Sequence, residues 1–234
     1  MKHSFLEADL RVSEERTVGV KGVHTMSICD VRSERAQFLQ RAIDSVSLRR
    51  QDILRANKHA VGRALIGNAS IEEIKAINEG TDKELNSQWG EYTYRVNLLH
   101  KRFLKRQRVV ENITTTTGRT VLAMRLSGTT TYTGIVNYGA LGTGVAAAAV
   151  GNTQLGTETF RKALSSGTYS ANIAYLENFY SSTDTNGTFN EYGFFIDASG
   201  TANSGQIWNR FLSTITKSAT ESLNQQSTIT FSDV

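Results

Sequence analysis

Charge and hydroxyl content divide this chain at about Ile113, and that division limits the folds open to it. Residues 1–112 hold 20 Lys/Arg and 15 Asp/Glu, leaving 6 basic and 7 acidic residues for the other 122, which instead carry 36 Ser/Thr. A charged segment with helical apolar spacing, followed by a Thr/Ser/Gly-rich segment with alternating apolar residues, predicts an α+β chain: a helical part joined to a β part. The expected domains are 1–113, an N-terminal arm and helical anchoring region, and 114–234, an antiparallel β-sandwich. At 234 residues the chain is long enough for two modest cores.

The basic excess belongs to the first part, +5 against −1 for the rest, and so many interspersed acids argue against a nucleic-acid-binding protein. A single cysteine, Cys29, excludes an internal disulfide framework and fits a small buried side chain made in a reducing compartment. No stretch approaches the roughly 20 apolar residues of a membrane helix, and Met1-Lys2-His3-Ser4-Phe5 lacks a signal-peptide core, so a soluble, cytosolically made protein is expected. Proline is absent, which removes Pro-rich linkers.

In the first part, Leu85, Trp89, Tyr92, Val96, Leu99, Phe103, Val110 and Ile113 follow steps of four and three, with Arg106 in the one polar slot. This 3.5-residue repeat predicts a helix over 85–113 with one apolar seam, about 45 Å long, that needs a partner helix from the same chain or another copy. Thr81-Asp82-Lys83-Glu84 and Ser70-Ile71-Glu72-Glu73 have capping-box spacing, and Gly80 is placed to close a short helix between them. Upstream, Asp30 is the expected cap of a helix striped by Leu39, Ile43, Val46, Ile53 and Leu65 and ending near Gly67-Asn68. Before it, Thr17-Val18-Gly19-Val20 suits one short strand in an arm. Lys101, Arg102, Lys105, Arg106 and Arg108 form the densest basic cluster. Lys101, Lys105 and Arg108 could contact phosphate, although cations at a helix C-terminus also answer the helix dipole.

In the second part, Leu122/Met124/Leu126, Tyr169/Ala171/Ile173/Tyr175, Tyr192/Phe194/Ile196 and Ile229/Phe231 alternate, between turn clusters such as Asn186-Gly187 and Ser199-Gly200. Antiparallel strands are expected. Ile207, Trp208, Phe211, Leu212 and Ile215 also fit a helix, but Thr214-Ile215-Thr216 favours a strand. The glycines of Gly139-Ala140-Leu141-Gly142-Thr143-Gly144 lack the Gly-Lys-Ser/Thr ending of a P-loop and the βαβ setting of a dinucleotide loop.

That Gly-rich run is followed in order by Leu155-Gly156-Thr157-Glu158-Thr159-Phe160-Arg161, by Asn190-Glu191-Tyr192-Gly193-Phe194-Phe195-Ile196-Asp197, and by Lys217. The order resembles the β modules of tailed-bacteriophage tail, collar and fibre proteins, over Val136 to Phe231. The resemblance implies a virion structural protein, often a homo-oligomer or trimer, meeting other tail, neck or portal proteins, made in the host cytoplasm and carrying no catalytic residues or cofactor. Glu158 with Arg161, and Glu191 with Lys217, are the expected pairs pinning loops to the sheet.

An enzyme would need convergent reactive groups. His3, His24, His59 and His100 all precede the β part and none has the close company of a second His or Cys, so no metal site is expected. Glu158, Glu177, Asp184 and Glu191 leave a glycosidase pair open on sequence alone. The other classes are a carbohydrate-binding module displaying Trp208, Tyr175 or Tyr180, and a portal- or neck-associated protein touching DNA through its basic helices.

Overall fold

The computed structural model describes residues 18–111 and 113–233. Met1 to Thr17, with His3 and the start of the expected arm strand, lie outside them. The chain is α+β: among the described residues there are three helices and ten strands, the strands forming two five-stranded antiparallel sheets.

β1 (Val18–Asp30) leads into a helical hairpin of α1 (Glu34–Ile66) and α2 (Ile71–Phe103), each of 33 residues and so about 50 Å long. Ser33, not Asp30, caps α1, accepting from the Ala36 amide. Asp30 ends β1 and holds Arg32 instead. Gly67 closes α1 where expected, and Ser70 with Glu73 forms a reciprocal capping box on α2. The predicted break at Gly80 does not occur. One helical glycine costs only about 1 kcal/mol, and Thr81 turns its hydroxyl back onto the Ile77 carbonyl instead of capping a new helix.

The expected 85–113 helix is also shortened. It stops at Phe103, and Leu104–Glu111 is strand β2 along β1. β-branched Val109 and Val110 favour this state, and the unpaired edge of β1 supplies backbone partners. After β3 (Ile113–Thr114), the expected Leu122/Met124/Leu126 strand is helix α3 (Thr116–Leu126). Thr115 caps it, accepting from the Gly118 amide, and Gly118 lets the helix rest on Trp208, which a Cβ there would strike. The remaining strands are β4 (Val136–Gly142), β5 (Glu158–Ala163), β6 (Ser166–Ser170), β7 (Ile173–Tyr180), β8 (Gly187–Ile196), β9 (Gln206–Lys217) and β10 (Glu221–Asp233). Tyr169 to Tyr175 is therefore a hairpin, turning at Ala171 with φ 50°.

One sheet runs β2-β1-β10-β7-β6 and the other β3-β9-β8-β4-β5. β1 pairs along its whole length with β10, so the first sheet crosses the expected boundary at 113/114. Both sheets contribute to one core, Met26, Ile28, Tyr180 and Leu223 from the first and Leu141, Phe189, Tyr192 and Phe211 from the second. On its other face the first sheet meets the hairpin, with Phe179 among Leu39, Ile43, Tyr92, Val96 and Leu99. Alternation along β7 does this: Phe179 faces the helices and Tyr180 the second sheet.

Candidate assembly surface

The apolar seam is consumed inside the chain. Tyr92, Val96 and Leu99 are fully buried against α1 and Phe179, Phe103 packs on the same cluster, and the Tyr92 hydroxyl donates to Asn224 Oδ1 at 2.8 Å. Trp89 is half-buried beside Tyr175, Val110 sits on β2 against the core between the sheets, and Leu85 is half-buried. The seam residues Trp89, Tyr92, Val96, Leu99 and Phe103 are thus not a free face for another copy.

The free part of the hairpin is its distal half. Beyond Arg50 on α1 and before Gln88 on α2 no side chain is fully buried. Ile53, Leu54, Ile74, Ile77 and Leu85 are half-covered, and Asn57 bridges the helices by donating to Asn78 Oδ1 and Thr81 Oγ1. At the tip, Leu65, Ile66 and Ile71 are 60%, 86% and 81% exposed. Three large aliphatic side chains flanking one four-residue turn form an apolar end that water solvates poorly.

The basic cluster is split by the end of α2. Lys101 and Arg102 lie in its last turn, whereas Lys105, Arg106 and Arg108 stand on β2 at the sheet edge. Lys105 and Arg106 donate to the buried carboxylate of Glu221 at 2.8 and 3.2 Å. Burial opposes ionisation of Glu221, but these cations and the Ser218 amide outweigh it and hold its pKa below the ordinary value. Lys105 is therefore engaged rather than offered to a phosphate, while Lys101 and Arg108 are exposed. Charged side chains on an edge strand also discourage pairing with a foreign strand.

Of the expected ion pairs one forms and one is replaced. Glu158 and Arg161 form a buried two-pronged bridge, 2.5 and 2.6 Å, and Arg161 also donates to the carbonyls of Ser199 and Ser204. Glu191 does not meet Lys217, whose ammonium donates to Thr185 O and Asn186 Oδ1; burial pulls that lysine down to about 8. The partner of Glu191 is Arg210 at 2.8 Å, sealed from solvent. The Glu191 carboxylate also accepts from the amides of Gly144, Gly156 and Thr157, and Arg210 donates onward to Ala146 O, Ala147 O and Asn152 Oδ1. Gly142 and Gly144 of the Gly-rich run thus serve a carboxylate of their own chain.

Other candidates are placed away from any reactive grouping. Cys29 is buried in the hairpin core, its thiol pushed up to about 12 by desolvation. His24 is buried in β1, stacked on Phe211 with ring centroids 3.8 Å apart. Trp208 and Tyr180 are core residues, which takes both rings off the surface, and Tyr175 is half-buried. Among the described residues no three His, Cys, Asp or Glu converge as metal ligands and no helix is long and apolar enough to cross a membrane. No family model, curated protein or solved structure matches the chain.

Proposed function

We propose that this chain is a structural component of a tailed-phage virion, in a tail, collar, baseplate or fibre-attachment position, and that it acts by protein–protein assembly as a homo-oligomer that also meets neighbouring tail, neck or portal proteins. The observation that carries the reading is the distal hairpin, whose apolar tip and half-covered stripe are unsatisfied in a single copy. Burying such surface in an assembly is favourable by roughly 25 cal/mol per Å². The shared core of the two sheets supports reading residues beyond 113, completed by β1 and β2, as a β-sandwich building block. The four-and-three spacing of α2 supports reading the hairpin as a coiled-coil-like anchor. The ion-paired loops around Glu191 and Arg161 suit a rigid block rather than a moving catalytic loop.

Light scattering of the purified chain tests this. An oligomer, possessed by the wild type and lost in Ile66→Asp/Ile71→Asp with unchanged circular dichroism, is the expected result. Mass spectrometry of purified particles should find the chain at stoichiometric copy number. A monomer at all concentrations that is also absent from particles would overturn the reading, and salt-sensitive DNA binding or a specific glycan signal would replace it.

A further inference from the structure

A cavity of about 240 Å³ opens between the two sheets beside α3, walled by Leu122, Leu176, Trp208, Ile229 and Phe231. Apart from the indole N–H of Trp208 its walls are almost wholly apolar, with one exception that does not fit a dry core. Arg50, on α1, lines the same cavity while being only 5% exposed. Its Nε and Nη1, and the Trp208 Nε1, are buried without a hydrogen-bond acceptor among the described residues.

Every other buried cation described above has a defined acceptor: Arg161 has Glu158, Arg210 has Glu191, and Lys217 has Asn186. A buried guanidinium without one is costly, and a native structure that keeps such a group calls for an explanation. Burial pulls Arg50 down to about 10, so it is still cationic at neutral pH. The cavity is therefore lined by a fixed positive charge whose unpaired N–H groups, with the indole N–H, lie sealed in its wall among apolar side chains. A guanidinium fork matches the two oxygens of a carboxylate.

We propose that this cavity is a binding site for a small apolar monocarboxylate, whose carboxylate lies on Arg50 and whose hydrocarbon part lies against Trp208, Leu176 and Phe231. The volume suits a short aliphatic or single-ring acid. The carboxylate satisfies the stranded donors, and the hydrocarbon fills the mainly apolar remainder.

The test is calorimetric titration of the full chain with octanoate and with octan-1-ol, which share a tail and differ in charge. Saturable octanoate binding with octanol weaker by at least about tenfold is expected, and Arg50→Met should abolish that preference. Removing an unpaired buried charge should not lower the melting temperature of Arg50→Met, so loss of binding is separable from loss of fold. In a Trp89→Phe background the emission of Trp208 should shift on octanoate addition. Absence of saturable binding, equal affinity for acid and alcohol, a preference that survives Arg50→Met, or binding without a Trp208 response would each overturn the proposal.

Discussion

The Glu191 carboxylate and the Arg210 guanidinium meet at 2.8 Å across adjacent strands β8 and β9, both sealed from water. Burial opposes the charge on Glu191, yet the Thr157 and Gly156 amides and Arg210 together hold its pKa below the ordinary carboxylate value. Between them the two side chains bind backbone groups of Gly144, Ala146, Ala147, Gly156 and Thr157. One pair thereby fastens both ends of the loop between β4 and β5.

Breaking one partner leaves the other as an uncompensated buried charge. Glu191→Gln is expected to lose about 3–5 kcal/mol, and a cycle with Arg210→Gln should show a coupling of about 1–3 kcal/mol. Urea unfolding of the two single variants and the double variant measures both. Additive effects would show that the pair acts as two separate loop anchors.

The glycines of the same loop make room for that carboxylate. A Cβ on Gly144 would overlap Glu191 Oε1, and one on Gly142 would overlap both Thr157 O and Glu191, whereas Gly151 looks onto open space. Gly144→Ala should therefore cost about 1–3 kcal/mol through overpacking, while Gly151→Ala should be neutral or slightly stabilising. Thermal melts of the two variants side by side distinguish this from a general loss of loop flexibility.

What the chain disclosed in advance depended on how local each signal was. The Ser70/Glu73 box, the Gly67 stop and the β9 strand are written in neighbouring residues, and all three are found. The seam spacing was real for Tyr92, Val96 and Leu99, but periodicity cannot tell a partner in the same chain from one in another copy, and it ran on past Phe103 into a strand paired with β1. That pairing, like β1 with β10, joins residues far apart in sequence, which no window along the chain reveals. α3 is hidden in the alternation, because three apolar residues two apart also fit a short helix whose N-cap, Thr115, lies in a run of threonines. Periodicity carries no marker for Arg210, although one charge inside Trp208-Asn209-Arg210-Phe211 is itself a sign of a buried partner.

His24 should make the protein acid-labile well above the carboxylate range. Desolvation, only partly offset by a backbone hydrogen bond with Gln226, lowers its pKa to about 3. The unfolded chain takes up this proton near pH 6.5 and the folded chain does not, so stability is full above pH 6.5 and falls by about 1.4 kcal/mol per unit below it. Wild type at pH 5 should be about 2 kcal/mol less stable than at pH 7, and His24→Phe should flatten that slope. The variant starts lower at pH 7, because it loses the contact between Asn209 Nδ2 and His24 Nε2 at 3.3 Å. Urea midpoints across the pH series decide it.

Glu177 acts in the opposite sense. Burial raises its pKa, and hydrogen bonds from Gln226 and Asn224 only moderate the rise. Because the folded state holds this proton more tightly than the unfolded chain, stability is full below the unfolded value and declines as pH rises through the folded one. Glutamine keeps an oxygen to accept from Asn224 and cannot ionise. Glu177→Gln should therefore be more stable than wild type by about 1 kcal/mol at pH 8, with the difference closing as the pH is lowered to 4. A variant less stable than wild type at pH 8 would mean that Glu177 needs its charge, and that a cation reaches it in the native protein.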